Sequence, residues 1–493
     1  MQTTSWKPIG LIPEGSETAG RCATQHRVSR WSGSVAASAA LSLVLGCASL
    51  EGQTNYQQIM VFGSPNLGGI GGDRPLVWVG SDVLCGTTAR DGWAPSTNWL
   101  FSLKSDGSAH GRLHSLFHGP EADAGLVVGT DGAVYGMNTD YIFKWEAGGP
   151  FNVPFNGYGD NPQGLLGLGG ALALGPDGAL FGTAGARTEN PNGAVFRLAP
   201  DGSGVQIIHD FAGGPSDGGV PSSVIVGSDG VLYGVTLRGG VPTDLGHFLG
   251  TVFRLNPDGS GHKILHNFNG VDGAFPANAL VQARDGMLYG TTTSGGTPGV
   301  GGLVYRLNTD GSGYAVIYGF TIPEGPAPRN PSALIQGPDG ALYGTTQYGG
   351  LTNTAHPEGM GTVFKLNTNG SGYTEIHRFS GDDGRNPRSA LLAGPDGALY
   401  GTTTYGGYFD QGTVFKLTSS PAESAALIDF YTTPAGFAIT LSSAPARTWA
   451  LQFSTDVGQK DPWHTVATVQ TDAFGLARVT DSSGPGFYRA VRP

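Results

Sequence analysis

The sequence predicts an all-β protein in which short strands alternate with glycine-rich turns. Glycine accounts for 84 of the 493 residues, aromatic residues make up 10% and charged residues only 13%. A disordered chain has few aromatic residues and many charges, so this composition predicts a folded core. The chain has no Gly-X-Y period and no long stretch with the helical period of apolar residues, which excludes a collagen-like chain and a helical bundle.

Residues 1–54 are predicted to be an export signal and linker. The apolar run VAASAALSLVLG at 35–46 has the length of a signal-peptide h-region and is shorter than the roughly 20 residues of a membrane span. Arg27 and Arg30 precede this run as a basic region. The longer polar stretch before Val28 indicates a true start near residue 28.

The run ends in Val-Leu-Gly-Cys47, which resembles a lipobox and makes Cys47 a candidate for lipidation. Two acyl chains would anchor the protein to a membrane surface without spanning it. Ordinary signal-peptide cleavage just after Ala48 is the alternative. Both readings predict an exported protein, either an outer-membrane lipoprotein or an extracellular protein.

Seven copies of one repeat follow, over residues 55–421. Residues 331–379 show the pattern: PSALIQGPDGALYGTTQYGG, a variable stretch, and then GTVFKLNTNGSGYTEIHRF. An aspartate in the first turn marks each copy, at a spacing of 46 to 57 residues. These aspartates are Asp82, Asp131, Asp177, Asp229, Asp285, Asp339 and Asp396.

Each copy divides into four short strands, lettered a to d in chain order. Asp-Gly turns separate strand a from b, and Asp-Gly-Ser-Gly turns separate c from d; both are strong hairpin signals. Four antiparallel strands at a period near 50 residues are typical of a propeller blade, whereas a β-solenoid has a shorter period. We therefore predict a seven-bladed β-propeller.

Copy seven lacks a strand d. The segment Gln58-Ile59-Met60-Val61-Phe62 near the start of copy one has the strand-d pattern of the other copies, such as residues 264–268. An open ring would leave unpaired strand edges. We therefore expect residues 57–62 to pair with residues 413–417 as the outer strand of blade seven.

The repeat resembles the GloVer tandem repeat, whose motif runs DGxLYGTTxxGGxxxxGTVFKLxxDGSG. The resemblance covers residues 55–420 and is most specific in the last five copies; copy one has Cys85 in place of the tyrosine, and copy two lacks the Gly-Gly pair. It implies a secreted, anchored repeat protein, and it brings no catalytic residues.

Residues 422–493 lack the repeat and contain short alternating runs such as FAITLSS and WALQFST. This pattern predicts a small β-sandwich that acts as an accessory domain. The runs LQFSTDV, Trp463 and the terminal Phe487-Tyr488-Arg489 resemble a C-terminal module of exported proteins from environmental bacteria.

The composition excludes several kinds of partner and site. A net charge of −11 without a run of Lys or Arg argues against nucleic-acid binding. Three cysteines, two of them near the N-terminus, cannot build a disulfide framework or a cysteine metal site. The Asp-Gly segments lack the acidic twelfth residue of a calcium loop and are interpreted as turns. We expect no metal and no cofactor.

Three histidines recur in strand d, two residues before a phenylalanine. They are His209, His266 and His377. Tyr318 and Met60 occupy the same position in other copies. A metal-binding ring is conceivable, but one imidazole per blade on the outermost strand lies far from the next, so we interpret these histidines as structural.

We predict a monomeric binding or interaction scaffold, with carbohydrate or a surface protein as its partner, rather than an enzyme. The long, dissimilar b–c and d–a loops share one rim, and function tends to lie on loops that a rigid scaffold holds. The second residue after strand b varies most among the copies. Four of the residues at this position are candidate ligand-binding residues, namely Arg90, Arg238, Tyr348 and Tyr405.

The alternative is a propeller-type secreted enzyme, a polysaccharide lyase or glycoside hydrolase. Paired carboxylates would have to meet across blades for that chemistry. The loop acids that qualify by position are Asp382, Asp383, Asp410 and Glu358. No nucleophile or metalloprotease motif accompanies them.

Overall fold

The structure is a computed structural model of the chain. It describes residues 26–27, 54–63, 70–71, 74–89, 97–117, 125–157, 161–241, 248–276, 278–296, 300–321 and 327–419, together with the backbone of six strands between 427 and 491. These residues contain strands and turns and no helix. Accordingly, no helical segment that could cross a membrane is found among them. The chain divides into two units, one of which is Thr54–Ser419.

Thr54–Ser419 forms a seven-bladed β-propeller, as the repeat predicted. Every blade is one antiparallel sheet in the strand order a-b-c-d, and strands a of neighbouring blades contact one another in blades 1 to 4. The first three blades are built as follows. Blade 1 has a split strand a (Ile70–Gly71 and Val77–Val79), then Val83–Ala89, Thr97–Lys104 and Gly111–Phe117. Blade 2 has Gly125–Val128, Val134–Met137, Tyr141–Trp145 and Phe151–Asn156. Blade 3 has Leu165–Leu174, Leu180–Arg187, Ala194–Leu198 and Gln206–Asp210.

The last four blades continue the same order. Blade 4 has Gly219–Val226, Leu232–Arg238, Thr251–Leu255 and Lys263–Asn267. Blade 5 has Val281–Gln282, Leu288–Thr292, Val300–Leu307 and Ala315–Thr321. Blade 6 has a split strand a (Arg329–Pro331 and Ile335–Gln336), then Leu342–Tyr348, Thr362–Leu366 and Thr374–Arg378. Blade 7 has Leu392–Ala393, Leu399–Thr403 and Thr413–Ser419, with Thr54–Val61 as its strand d.

The N-terminal strand closes the ring, which confirms the predicted pairing. Thr54–Val61 runs antiparallel to Thr413–Ser419, with Tyr56 opposite Leu417 and Val61 opposite Thr413. Phe62, directly after this strand, is fully buried and packs edge-on against Phe101 of blade 1 at 5.2 Å between ring centroids. The first and last blades are therefore joined through one core.

The recurrent Gly and Phe of the repeat fit each other inside a blade. In blade 7, a Cβ added to Gly401 of strand b would lie 2.4 Å from the Phe415 ring of strand c. Phe415 is fully buried. The glycine after the tyrosine in the repeat is required because it leaves room for this ring.

The second unit contains strands outside the propeller. One sheet consists of Leu427–Thr433, Gly436–Ser442 and Leu476–Asp481. The other consists of Thr448–Ser454, His464–Gln470 and Phe487–Val491, and the two-residue strand His26–Arg27 pairs with the last of these. Two sheets are the architecture expected of the predicted sandwich. The side chains of this unit and the lipidation candidate Cys47 lie outside the described residues.

Candidate functional site

The repeated aspartates form turns, as the sequence analysis interpreted them. In blade 7, Asp396 accepts hydrogen bonds from the Ala398 N–H (3.1 Å) and the Tyr400 hydroxyl (2.8 Å), and Lys416 lies 2.8 Å away. Blades 2 and 6 repeat the Asp–Tyr–Lys arrangement at Asp131 and Asp339. These contacts occupy the carboxylates and account for the DGxLYG and VFKL parts of the motif.

The recurrent histidines join neighbouring blades. His266 Nε2 forms a hydrogen bond with Asp272 Oδ2 (3.1 Å), and the His266 ring stacks on Tyr314 of the next blade, with 3.6 Å between ring centroids. His377 bonds Asp383 (2.9 Å) and stacks on Tyr56 in the same way. Each imidazole has its own aspartate, which agrees with a structural role. His209 differs, because its stacking partner is a second imidazole, His262.

The variable position after strand b lies beside the start of strand a. We call the edge of the propeller that carries the b–c and d–a loops the loop rim, and the opposite edge the turn rim. At the loop rim this position pairs with a residue that lies in the first part of strand a or shortly before it. The pairs are Leu166–Ala186, Gly219–Arg238, Ala274–Ser294, Arg329–Tyr348 and Arg385–Tyr405.

In blade 7 this pair forms a charged and aromatic cluster. The Arg385 guanidinium lies 4.5 Å above the centre of the Tyr405 ring. It also makes two hydrogen bonds to Asp410, from Nε to Oδ1 (3.1 Å) and from Nη2 to Oδ2 (2.9 Å). The Arg385 side chain is only 15% exposed, whereas that of Asp410 is 65% exposed. The arginine is thus held in place, and the carboxylate faces solvent.

The electrostatic balance keeps Asp410 ionised. Partial burial raises the pKa of its carboxyl. The hydrogen bonds from Arg385 and from the Gly406 N–H lower the pKa by more than burial raises it, so the net shift is downward. Asp410 itself has a φ of +55°. Aspartate is among the residues that tolerate this left-handed conformation.

In blade 6 the same position carries a similar cluster. The Arg329 guanidinium lies 5.0 Å above the Tyr348 ring. The buried Gln347 amide oxygen accepts hydrogen bonds from Arg388 Nη2 (2.7 Å), Arg388 Nε (3.0 Å) and the Tyr348 hydroxyl (3.0 Å). Because Arg388 lies just before strand a of blade 7, this amide links the two clusters.

Asn386 provides a second link between the blades. Its Nδ2 donates to the Gln347 carbonyl (3.2 Å), and its Oδ1 accepts from Arg385 Nη1 (3.2 Å). Its backbone N–H donates to the Met360 carbonyl in the b–c loop of blade 6 (2.8 Å). Tyr348 and Tyr405 therefore belong to one hydrogen-bonded network across blades 6 and 7.

The other two candidate residues do not join this network. Arg238 is exposed at the end of strand b in blade 4, where its carbonyl accepts from the Thr236 hydroxyl (2.7 Å). Within the part of the chain that the structure describes, its guanidinium makes no ion pair. Arg90 lies outside the described residues.

The residues that flank the two tyrosines were missed by the sequence analysis. Arg-Asn-Pro occurs at residues 329–331 and again at 385–387, in the two copies whose variable position is tyrosine. The asparagines, Asn330 and Asn386, have φ values of +59° and +52°, which asparagine tolerates better than most residues. Aligning strand a with strand b in register would have connected each arginine with its tyrosine.

The acids considered for catalysis are mostly engaged in local structure. Asp383 accepts from His377 and from the Ser380 N–H (2.8 Å), and Glu358 lies 3.4 Å from His356. Burial raises the pKa of Asp383, but the hydrogen bonds from His377 and Ser380 lower it by more, and the pKa of Glu358 is lowered mainly by a hydrogen bond from its own backbone N–H and less by His356. A glycosidase requires a carboxylic acid with a raised pKa. Every described carboxyl with a resolved shift is shifted downward.

Exposed apolar side chains concentrate on the loop rim. Among the described residues, ten large apolar side chains are exposed, and only Val153 and Val316 lie on strands d. The other eight lie on b–c loops, d–a loops or the start of strand a. They are Leu166, Val241, Phe248, Val271, Phe275, Leu351, Tyr408 and Phe409. Tyr408 is 87% exposed and follows Tyr405 in the b–c loop of blade 7.

Comparison with known proteins finds a repeat family and several solved structures with partial similarity. A family model described as the Gloeobacter/Verrucomicrobia repeat matches residues 167–355 and 302–442, which confirms the resemblance seen in the sequence. No curated protein matches the chain.

Three of the solved structures to which the chain is similar are the following. The extracellular domain of a protein described as a hybrid two-component system from B. thetaiotaomicron is 10% identical with a TM-score of 0.48, over 89% of this chain and 57% of that one. An oligogalacturonate lyase in complex with manganese is 12% identical with a TM-score of 0.45, over 75% of this chain and 99% of the lyase chain. A gluconolactonase from Xanthomonas campestris is 18% identical with a TM-score of 0.37, over 59% of this chain and 86% of the gluconolactonase chain.

Proposed function

The chain belongs to the Gloeobacter/Verrucomicrobia repeat family, and we propose that it is an exported, surface-associated scaffold that binds carbohydrate at its loop rim. The observation that carries this proposal is the confinement of eight of ten exposed large apolar side chains to that rim. Exposed apolar side chains that gather at one edge of a folded domain, rather than being scattered over its surface, are typical of a binding region.

The loop of blade 7 supports carbohydrate as the ligand. Tyr408 exposes most of its ring and lies edge-to-face with Phe409, at 4.9 Å between ring centroids. An amphipathic ring of this kind offers an apolar face to the C–H groups of a sugar and a hydroxyl for hydrogen bonding. Asp410, which follows in the chain, adds an ionised acceptor for sugar hydroxyls.

A glycan array probed with the purified chain tests the proposal. We expect binding to a restricted set of glycans, with Tyr408→Ala reducing the signal by about 10-fold or more, as for other exposed aromatic anchors. Val316→Ala is the matched control, because Val316 is an exposed apolar residue on a strand d. An array without specific signal, or equal loss in both variants, would contradict the proposal.

Two further outcomes distinguish the alternatives. Incubating the same preparation with polysaccharides and following reducing ends or unsaturated products would detect a lyase or hydrolase, and we expect no turnover. Binding to surface proteins without binding to glycans would favour a protein partner instead.

Export and lipid anchoring at Cys47 are part of the proposal. They are supported by the apolar run at 35–46 and the Val-Leu-Gly-Cys sequence that ends it. Metabolic labelling with a fatty acid should mark the wild-type chain and not Cys47→Ser. Export of an unlabelled wild-type chain would instead indicate ordinary signal-peptide cleavage.

A further inference from the structure

The junction of blades 3 and 4 brings two imidazoles onto one carboxylate. His209 lies on strand d of blade 3, Asp217 on the d–a loop after it, and His262 just before strand d of blade 4. Asp217 Oδ1 lies 2.9 Å from His209 Nε2 and 3.1 Å from His262 Nδ1. Within the described part of the chain, this is the one group of three such side chains whose ligand atoms all lie within 4.8 Å of each other.

The equivalent junctions between other blades show what is special here. At blades 4 and 5, the position of His262 is taken by Tyr314, which stacks on His266 and donates its hydroxyl to the Asp272 carbonyl (2.6 Å). At blades 6 and 7, Tyr56 does the same toward Asp383. A tyrosine is therefore sufficient for stacking on the strand-d histidine. The imidazole of His262 differs because it also places a ring nitrogen next to the Asp217 carboxylate.

The three side chains have the composition of a transition-metal site. Two neutral imidazoles and one carboxylate suit Zn²⁺ and similar divalent ions. Ligand atoms around tetrahedral Zn²⁺ are about 3.3 Å apart, given bonds of about 2.0 Å. The two nitrogen-to-oxygen distances of 2.9 and 3.1 Å are close to this separation.

The surroundings also suit a bound ion. The Ala212 N–H donates to Asp217 Oδ2, which orients the carboxylate as outer partners do in metal sites. All three side chains are 14–17% exposed, which leaves a route for the ion and for water.

One local change accompanies binding. The two rings are stacked, with centroids 4.1 Å apart and planes 15° apart. A metal ion lies in the plane of each imidazole that binds it, so one ring has to turn out of the stack. His262 Nε2 is buried and, among the residues that the structure describes, has no hydrogen-bond partner that would hold the ring in its present orientation.

We propose that His209, Asp217 and His262 bind one divalent transition-metal ion of the Zn²⁺ type, with water completing its coordination, and that this ion ties blade 3 to blade 4. Its ligands come from two blades, and none of them is among the exposed apolar side chains on which the proposed glycan surface rests.

Isothermal titration of the untagged, chelator-treated full chain with ZnCl₂ tests the site. We expect one ion per chain and a higher unfolding temperature with the ion bound. His262→Tyr and His209→Tyr should each weaken binding by more than about 100-fold, because losing a ligand exceeds the 10- to 100-fold effect of losing an outer partner. His262→Tyr reproduces the His–Tyr stack between blades 4 and 5, and His209→Tyr places a tyrosine where strand d of blade 5 has Tyr318, so both variants are expected to fold.

His266→Tyr is the matched control, since it removes an imidazole from a His–Asp pair that has no second histidine. It should bind Zn²⁺ like the wild type. Replacing Zn²⁺ by Co²⁺ should give visible absorption bands in the wild type and the control, and none in His262→Tyr. Equal Zn²⁺ affinity in the wild type and His262→Tyr, or no stoichiometric binding by the wild type, would overturn the proposal.

Discussion

Thr346 and Thr362 face each other on strands b and c of blade 6, fully buried, with their Oγ1 atoms 2.7 Å apart. Thr346 also donates to the Tyr348 carbonyl (2.9 Å), so the shared hydrogen bond is donated by Thr362. Blades 4 and 7 repeat this pair. The pair explains why the repeat has threonine both in GTT and in GTVF.

Blade 5 provides a natural test of this pair. There Thr292 lies opposite Leu303, and its buried hydroxyl has no hydrogen-bond partner within the described ranges of the chain. Thr346→Val should lower the free energy of unfolding by about 1–3 kcal/mol, because it leaves the Thr362 donor unpaired. Thr292→Val should be neutral or stabilising. Urea unfolding of both variants measures the difference, and equal losses would contradict the explanation.

Closure of the ring through the N-terminal strand predicts a large effect of Phe62. Phe62→Ala should destabilise the propeller by about 3–5 kcal/mol, because it opens a cavity between blades 7 and 1. Gln57→Ala on the exposed side of the same strand should change stability by less than about 0.5 kcal/mol. Deletion of residues 54–62 should abolish cooperative unfolding. A cooperative transition after this deletion would show that the strand is dispensable.

Asp396 predicts a defined acid dependence of stability. Partial burial raises the pKa of this carboxyl, but Lys416, Tyr400 and the Ala398 N–H lower it more, so it lies below the ordinary value of 3.8. A depressed pKa in the folded state contributes stability above the unfolded pKa, and this contribution disappears as the pH falls through the folded pKa. The stability difference between wild type and Asp396→Asn should therefore be constant at pH 5–7 and shrink below about pH 4. Unfolding curves across this range measure it, and a difference that grows on acidification would contradict the assignment.

Arg385 should influence glycan binding through the residues that it positions. Arg385→Ala removes the cation above the Tyr405 ring and both hydrogen bonds to Asp410. We expect about a 10-fold loss of glycan affinity, comparable to that of Tyr405→Ala, with the glycan preference retained. Arg197→Ala is the matched control, because Arg197 pairs with Asp177 at the turn rim. Unchanged affinity in Arg385→Ala would place the binding surface elsewhere on the propeller.

The local parts of the fold could be predicted because they are encoded within a few residues. An Asp-Gly turn needs only a glycine that tolerates positive φ and an aspartate that bonds the chain two residues on; Gly397, with φ +77°, and Asp396 show both. The period of the repeat then sets the number of blades, and the strand-d pattern at residues 58–62 indicated the closure.

The side-chain clusters were decided by the tertiary structure. Arg329 meets Tyr348, and Arg385 meets Tyr405, only because strands a and b pair in one register, which the sequence pattern of a single strand does not define. His209 and His262 are 53 residues apart in the sequence and meet because neighbouring blades pack side by side. The sequence by itself thus determined the blades, whose hydrogen bonds are local, while ring packing between blades determined which side chains converge.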